Sequence, residues 1–314
     1  MKILLAPMEG VVDHQMRAML TDIGGIDHCV TEFIRVTDQC LPHRVFHRIC
    51  PELLMGGKTP SGTPVIVQLL GGIAEVVALN AQRAVAMGAL GIDINFGCPS
   101  KLVNRRAGGA VLLKEPERLR HIVNTVRQVV PRHLPFSAKI RLGYDDTALA
   151  LDNALAVQAG GADSIVVHGR TKKEGYRPPA DWHWIARIRE SLQIPVVANG
   201  DINSLEAYLR CRETSGCDHV MIGRGALMQP GLIQKIRQYQ RGEPPQALNW
   251  TIIIRLLDTM LQQGIASGVA GRHIVSRLKQ WLAYLKRHYQ EAQHLFSQIR
   301  TLNDPQQVQA LLYP

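Results

Sequence analysis

Gly91-Ile92-Asp93-Ile94-Asn95-Phe96-Gly97-Cys98-Pro99-Ser100 reads as a short strand that ends on a polar side chain and enters a Gly-Cys-Pro turn. Seven other segments have the same build. They are Ile3-Leu4-Leu5-Ala6, Cys29-Val30-Thr31-Glu32-Phe33, Val65-Ile66-Val67-Gln68-Leu69, Ser137-Ala138-Lys139-Ile140-Arg141, Ser164-Ile165-Val166-Val167-His168, Pro195-Val196-Val197-Ala198-Asn199 and His219-Val220-Met221-Ile222-Gly223. Between them lie longer stretches with helical spacing of apolar residues, the sequence form of repeated βα units on a parallel sheet. Eight such units in roughly the first 225 residues predict a closed (β/α)8 TIM barrel rather than an open doubly wound sheet. No Gly-x-Gly-x-x-Gly turn follows the first run.

Polar residues gather at the C-terminal ends of these runs: Glu32, Gln68, Asn95, Lys139, Arg141, His168, Asn199 and Arg224. In a TIM barrel that end is the active face, so one site assembled from many strands is expected. Strand ends are also wetter than strand middles. That accounts for one or two of these residues, but less easily for Lys139 and Arg141 on one strand.

Cys98 follows the fourth strand, between a glycine that permits tight backbone geometry and a proline that stiffens it. A lone cysteine is usually a small buried hydrophobe, and the barrel position is what makes this one a catalytic candidate. A thiol is mostly protonated at neutral pH and suits proton donation. Asn199-Gly200-Asp201 and Gly223-Arg224-Gly225 close the seventh and eighth strands, where barrels commonly hold a phosphate on backbone N–H groups. His168-Gly169-Arg170 would add donors to the same anion, although a structural histidine is the competing reading. Lys139 in a buried strand calls for an anion or a polar ring as partner, or for a Schiff-base role. Gln68 carries a donor and an acceptor on one amide and would read the edge of a heterocycle, unless it is simply a solvated strand end.

Gln229 to Gln240 reads as the closing helix, and Arg241-Gly242-Glu243-Pro244-Pro245-Gln246 as a linker that paired prolines keep from being helical. The domains expected are a barrel over 1–242 and a small all-helical domain over 243–314, with three or four helices. Within the latter, no Asp or Glu falls between Asp258 and Glu291, whereas Arg272, Arg277, Lys279, Lys286 and Arg287 do. On a helix, Ile274, Leu278, Trp281 and Leu285 share a face and Arg272, Lys279 and Lys286 another, a basic ridge over an apolar seam. A phosphate-tracking surface fits the ridge, as does a merely solvated face. Trp281 belongs with the core by this spacing.

The 314 residues are 46% hydrophobic and 20% charged, enough for one large core and a satellite. A net charge of +10 favours an acidic partner such as nucleic acid. The first apolar run is broken by Glu9 and Asp13, too soon for a signal peptide or a membrane span, so a cytoplasmic protein without membrane attachment is expected. Six cysteines include no Cys-x-x-Cys pair and no histidines at zinc spacing, so reduced thiols and no metal are expected.

Taken together, these motifs make the chain resemble the tRNA-dihydrouridine synthases over nearly its whole length, most of all the type acting on uridine 16. The resemblance rests on several motifs in order. They are Leu5-Ala6-Pro7-Met8-Glu9-Gly10, Thr31-Glu32-Phe33-Ile34-Arg35-Val36, Val67-Gln68-Leu69-Leu70-Gly71, Asp93 to Lys101, Lys139-Ile140-Arg141-Leu142-Gly143, Val167-His168-Gly169-Arg170-Thr171, Ala198-Asn199-Gly200-Asp201-Ile202 and Ile222-Gly223-Arg224-Gly225-Ala226. Asn104-Arg105-Arg106-Ala107-Gly108-Gly109 is more basic than in the position-16 type, and 264–272 follows its pattern poorly.

The resemblance implies an FMN-binding barrel, NADPH as reductant, a helical tRNA-binding domain and a monomer. It implies that Pro7, Met8 and Glu9 approach the isoalloxazine, that Gln68 and Lys139 bond its ring, and that His168, Asn199, Gly200, Asp201, Gly223 and Arg224 hold the ribityl phosphate. Cys98 stands at the general acid, protonating C5 of a D-loop uracil that receives hydride at C6. Asn95, Arg141 and Tyr176 stand at substrate contacts, and Arg35, Arg272, Arg277 and Lys279 are candidates for orienting the tRNA. Three other readings remain on the residues alone: a flavin barrel reducing a free small molecule, an aldolase using Lys139, and an RNA-binding protein without activity.

Overall fold

A computed structural model describes residues 1–104 and 108–313. Arg105, Arg106 and Ala107, part of the unusually basic stretch, lie outside the described residues. The chain forms two compact units, one of residues 1–22, 26–202 and 206–223, the other of 23–25, 203–205 and 224–314.

In the first unit, β1 (Ile3–Leu5), β2 (His28–Val30), β3 (Ile34–Arg35), β4 (Val65–Leu70), β5 (Ile92–Asn95), β6 (Phe136–Arg141), β7 (Ser164–His168), β8 (Val196–Asn199) and β9 (His219–Ile222) are all parallel. Pairing runs β1–β2, β2–β4 and onward through β9, which returns to β1 with Ile3 beside Val220. The expected eight-stranded barrel is therefore closed. Helices separate the strands, among them His14–Ile23, Ala74–Ala86, Pro116–Val129, Ala150–Ala159, Trp182–Ser191 and Leu205–Ser215.

β3 is an addition to the expected eight, and it follows directly on the run read as Cys29 to Phe33, of which only Cys29 and Val30 lie in β2. The chain leaves the sheet after Val30, and the Thr31 hydroxyl accepts from the backbone N–H of Gln68 at 3.0 Å, standing in for a ladder carbonyl. Ile34 and Arg35 then rejoin beside Leu69 and Leu70. Continuous Val-Thr-Phe composition hides such an interruption, because propensity does not register one irregular step.

The barrel interior has two halves. Leu4, Ala6, Val30, Ile66, Val166, Val197 and Met221 form a buried apolar cluster contributed by β1, β2, β4, β7, β8 and β9 and the residue after β1. On β4 to β6 the register sets Gln68 beside Asp93 and Asp93 beside Ser137, so these polar residues share a face. Outside the sheet, the helix His14–Ile23 is tied to the turn Pro51–Met55 by a buried pair. Arg17 Nε and Nη2 donate to Glu52 at 2.8 and 2.9 Å, and its other donors meet the carbonyls of Val12 and Ile49.

The second unit is helical: Arg224–Met228, Leu232–Gln240, Trp250–Ala266, Gly271–Leu285, Gln290–Ile299 and Pro305–Ala310. Asn249 caps the Trp250 helix by accepting from the Ile252 N–H at 3.0 Å. Ile274, Leu278, Trp281 and Leu285 are all buried, as their spacing predicts, and Trp281 Nε1 donates to the Leu227 carbonyl at 3.1 Å. Among the described residues no helix is long and apolar enough to cross a membrane.

Candidate active site

β5 carries Asp93 and Asn95 two residues apart, hence on the same inward face, and its C-terminal end delivers Cys98. Asn95 Oδ1 accepts from the backbone N–H groups of both Gly97 and Cys98 at 2.9 Å. From the neighbouring strand, Arg141 Nε donates to the Gly97 carbonyl at 2.7 Å, and Asn104 Nδ2 donates to the Cys98 carbonyl at 3.1 Å. The loop bearing the thiol is thus held by three side chains. Cys98 is buried, packed with Leu70, Val103 and Phe33.

Burial pushes the Cys98 thiol up, and the charge of Glu9 adds to that, while a backbone bond at Ser100, Arg141 and Arg35 oppose it. The thiol keeps its proton at neutral pH. This is the state an acid needs and a nucleophile lacks.

Gln68 is fully buried and already engaged: Nε2 donates to Asp93 at 2.7 Å, and Oε1 accepts from Asn95 Nδ2 at 2.8 Å. One N–H and one lone pair remain for a heterocycle. Asp93 also accepts from the Ser137 hydroxyl at 2.5 Å. Burial raises its carboxyl to about 6, against the lowering effect of Ser137, Gln68 and Lys139. Lys139 Nζ donates to Asn199 Oδ1 at 3.0 Å, and Asn199 Nδ2 to the Met221 carbonyl at 2.8 Å. Burial first and Arg141 second bring the ammonium down to about 8, with Asp93 opposing.

Arg141 spends its donors on the protein. Besides Gly97, Nη1 reaches the carbonyls of Thr171 and Gly175 at 3.0 and 2.8 Å, and the guanidinium lies 5.2 Å from the exposed Tyr176 ring. The same ring meets His168 edge-on at 6.3 Å. Asp201 holds Arg170 Nη2 and accepts from the Ala180 N–H at 2.8 Å. Its carboxylate pins a buried cation, Arg170, beside the turn at Gly200. Gly200 (φ +123°) would put a Cβ 2.8 Å from that of Ala180, and a Cβ on Gly223 would lie 3.3 Å from Ala6 Cβ and Met8 Sδ. At both positions the protein's own side chains crowd the space a Cβ would need, so glycine is what the packing accommodates.

Pro7 and Met8 lie half-buried at the end of β1, and Glu9 is exposed beyond them. Arg35 is half-buried, with Nη2 on the Leu102 carbonyl at 3.0 Å. Arg224 opens the helix Arg224–Met228 in the second unit. In that unit the expected ridge is uneven. Arg272 is exposed, whereas Lys279 Nζ donates to the Leu302 carbonyl at 2.5 Å, Arg277 bonds Gln280, and Lys286 sits 4.3 Å over the Phe296 ring. Sequence reasoning passed over Asp93, Ser137 and Thr31. The first two were within reach of a period-two count, since each stands two residues before a residue that was singled out.

A flat, amphipathic ring with one polar edge suits this barrel. Its polar donors and acceptors lie on β4 to β6, its apolar residues mostly on the other strands, and glycines at the ends of β8 and β9, where a phosphate would find backbone N–H groups. FMN would meet that description, with Lys139 the cation available to a ring that gains negative charge.

The family model described as dihydrouridine synthase (Dus) matches residues 4–312. A protein of Aquipseudomonas alcaligenes named tRNA-dihydrouridine(16) synthase is 50% identical over 312 residues, 99% of each chain. Proteins of the same name from Neisseria meningitidis serogroup A and Salmonella typhimurium are 46% and 49% identical, covering 99% and 96% of this chain and 93% and 96% of theirs. Among solved structures, a 2-naphthoyl-CoA reductase aligns with a TM-score of 0.57 at 12% identity, over 77% of this chain and 50% of that one. A histamine dehydrogenase from Rhizobium sp. 4-9 aligns at 0.56 and 14%, over 76% and 46%. At such identities these two share the barrel and nothing more is drawn from them.

Proposed function

The chain belongs to the dihydrouridine synthase family of enzymes, and from that premise we propose that it reduces uridine to 5,6-dihydrouridine at position 16 of the tRNA D-loop. In this reading residues 1–242 form an FMN-dependent catalytic domain that takes electrons from NADPH, and 243–314 a tRNA-binding domain. The protein acts as a cytoplasmic monomer. The observation that carries the reading is a buried thiol, held protonated, on a barrel-mouth loop fixed by Asn95 and Arg141.

FMN, when bound, would supply hydride to C6 of the uracil. The residues of the chain do the rest. Gln68 and Lys139 would hold the flavin's polar edge, and His168, Asn199, Gly200, Asp201, Gly223 and Arg224 its phosphate end, Asp201 by fixing Arg170. Pro7, Met8 and Glu9 would line its approach. Cys98 Sγ gives its proton to C5 as negative charge develops there. Asn95, Arg141 and Tyr176 would place the uracil, and Tyr176 is exposed enough to meet an incoming base. A stacked base cannot present its ring, so the uridine is turned out of the RNA, at low cost in a loop. Arg35, Arg272, Arg277 and Lys279 would orient the tRNA body.

The test is direct. Purified protein is expected to be yellow and, with NADPH, to form dihydrouridine at position 16 of unmodified tRNA. A colourless preparation that binds no FMN, or dihydrouridine formed only elsewhere, would overturn the cofactor or the position respectively.

A further inference from the structure

Four side chains link the middle of the barrel to the backbone of Cys98. Ser137 Oγ donates to Asp93 Oδ1, Gln68 Nε2 to Asp93 Oδ2, Asn95 Nδ2 to Gln68 Oε1, and the N–H groups of Gly97 and Cys98 to Asn95 Oδ1. Asp93 and Gln68 are fully buried and Asn95 is 8% exposed, so water does not compete along the chain. Nothing else in the proposed reaction uses Asp93.

We propose that Asp93 is a positioning residue that sets the direction of this relay, and through it the placement of the Cys98 loop. An ionised carboxylate only accepts. Gln68 must therefore show Asp93 its amide nitrogen, which leaves its carbonyl for Asn95. Asn95 must answer with its own nitrogen, which turns its carbonyl onto the two backbone N–H groups. One buried charge thus decides two amide orientations and gives both N–H groups an acceptor. A neutral amide at 93 would lose that authority, because the Ser137 hydroxyl can donate or accept. The chain could then run in either direction, and the reverse direction sets Asn95 Nδ2 against the N–H groups of Gly97 and Cys98, donor facing donor. The significance for proton delivery rests on the proposed role of Cys98; the relay itself does not.

The experiment uses full-length protein, as isolated and after saturation with FMN, and reads two quantities. The first is the rate of Cys98 alkylation by iodoacetamide, followed by mass spectrometry of its peptide. The second is the kcat of tRNA uridine reduction. Asp93→Asn is expected to raise the alkylation rate about tenfold as the loop loosens, and to lower kcat about tenfold or more. Asp93→Asn combined with Gln68→Glu puts an acceptor-only group between two amide nitrogens and retains the net charge. It is expected to restore slow alkylation, a result that loss of packing alone would not give. Normal alkylation in the single variant, or a folded double variant as fast-reacting as the single, would overturn the proposal. If no tRNA uridine is reduced by the wild-type protein, the functional reading fails while the alkylation comparison still judges the relay.

Discussion

Burial sets the chemistry of the residues at the barrel mouth. Because the Cys98 thiol is raised above its ordinary value, it should alkylate at pH 8 about tenfold more slowly than an exposed thiol. Cys98→Ala is expected to keep FMN and tRNA binding and to lose about 100-fold or more of uridine reduction; full activity in that variant would remove Cys98 from the reaction. Lys139 is held at about 8, with Arg141 and Asp93 the charges acting on it. Its folded value lies below its ordinary one, so holding the charge costs stability below pH 8, and that cost is relieved between 8 and the ordinary lysine value. The charge itself is lost as pH rises through about 8, so kcat is expected to fall on that limb, and Lys139→Met should abolish the limb as well as most activity. Asp93 has the opposite shift. Its folded carboxyl is raised to about 6, so the proton is retained up to that pH and a second limb should appear below it. Lys139 announced itself in the sequence as a charge where a buried strand should be apolar. Asp93 did not, because an acid at mid-strand between two isoleucines looks like ordinary alternation with a wet face. Only closure of the barrel shows that this face is interior.

Among the elements, strands were the legible part. Their apolar runs are short, bounded by Gly, Pro or a polar residue, and separated by helical spacing, so period and punctuation agree. The departure at β2 and β3 was not legible, since Thr31 takes over a ladder bond with its hydroxyl, an exchange that depends on Gln68 across the sheet. Long-range pairs of that kind leave no local trace. The same holds for Arg17 and Glu52, separated by 35 residues and both almost wholly buried. Removing one partner strands the other charge inside the protein. Arg17→Met is expected to destabilise the barrel by about 3–5 kcal/mol, seen as a lower urea midpoint, whereas the same change at exposed Arg120, paired with Glu117, should shift it by about 1 kcal/mol or less.

For the molecule as a whole, net charge pointed to an acidic partner and the barrel to a strand-end site, yet neither identifies a substrate. A CoA-ester reductase and a histamine dehydrogenase are built on related barrels; the ordered set of motifs carries the substrate reading. The basic ridge of the helical unit was legible as charge but not as use, because Lys279 spends its ammonium on the Leu302 carbonyl. Arg272→Glu alone is therefore expected to weaken tRNA binding more than Lys279→Glu. The double reversal should flatten the dependence of log Kd on log salt by about 1 to 2, with NADPH oxidation by the flavin unchanged. Equal affinities across these variants would show the ridge to be merely solvated. Closure of the barrel also imposes an order in time. One edge of β1 pairs early with β2, but its other edge finds its partner only in β9, with Leu5 beside Ile222, so on the ribosome that edge of the first strand waits for nearly the whole barrel sequence. Gln68 to Arg141, which include the entire relay and the Cys98 loop, emerge much earlier and can pair locally. A nascent chain stalled near residue 200 should accordingly protect β4 to β6 from hydrogen exchange while the Ala6 N–H, which bonds the Ile222 carbonyl in the closed barrel, still exchanges freely.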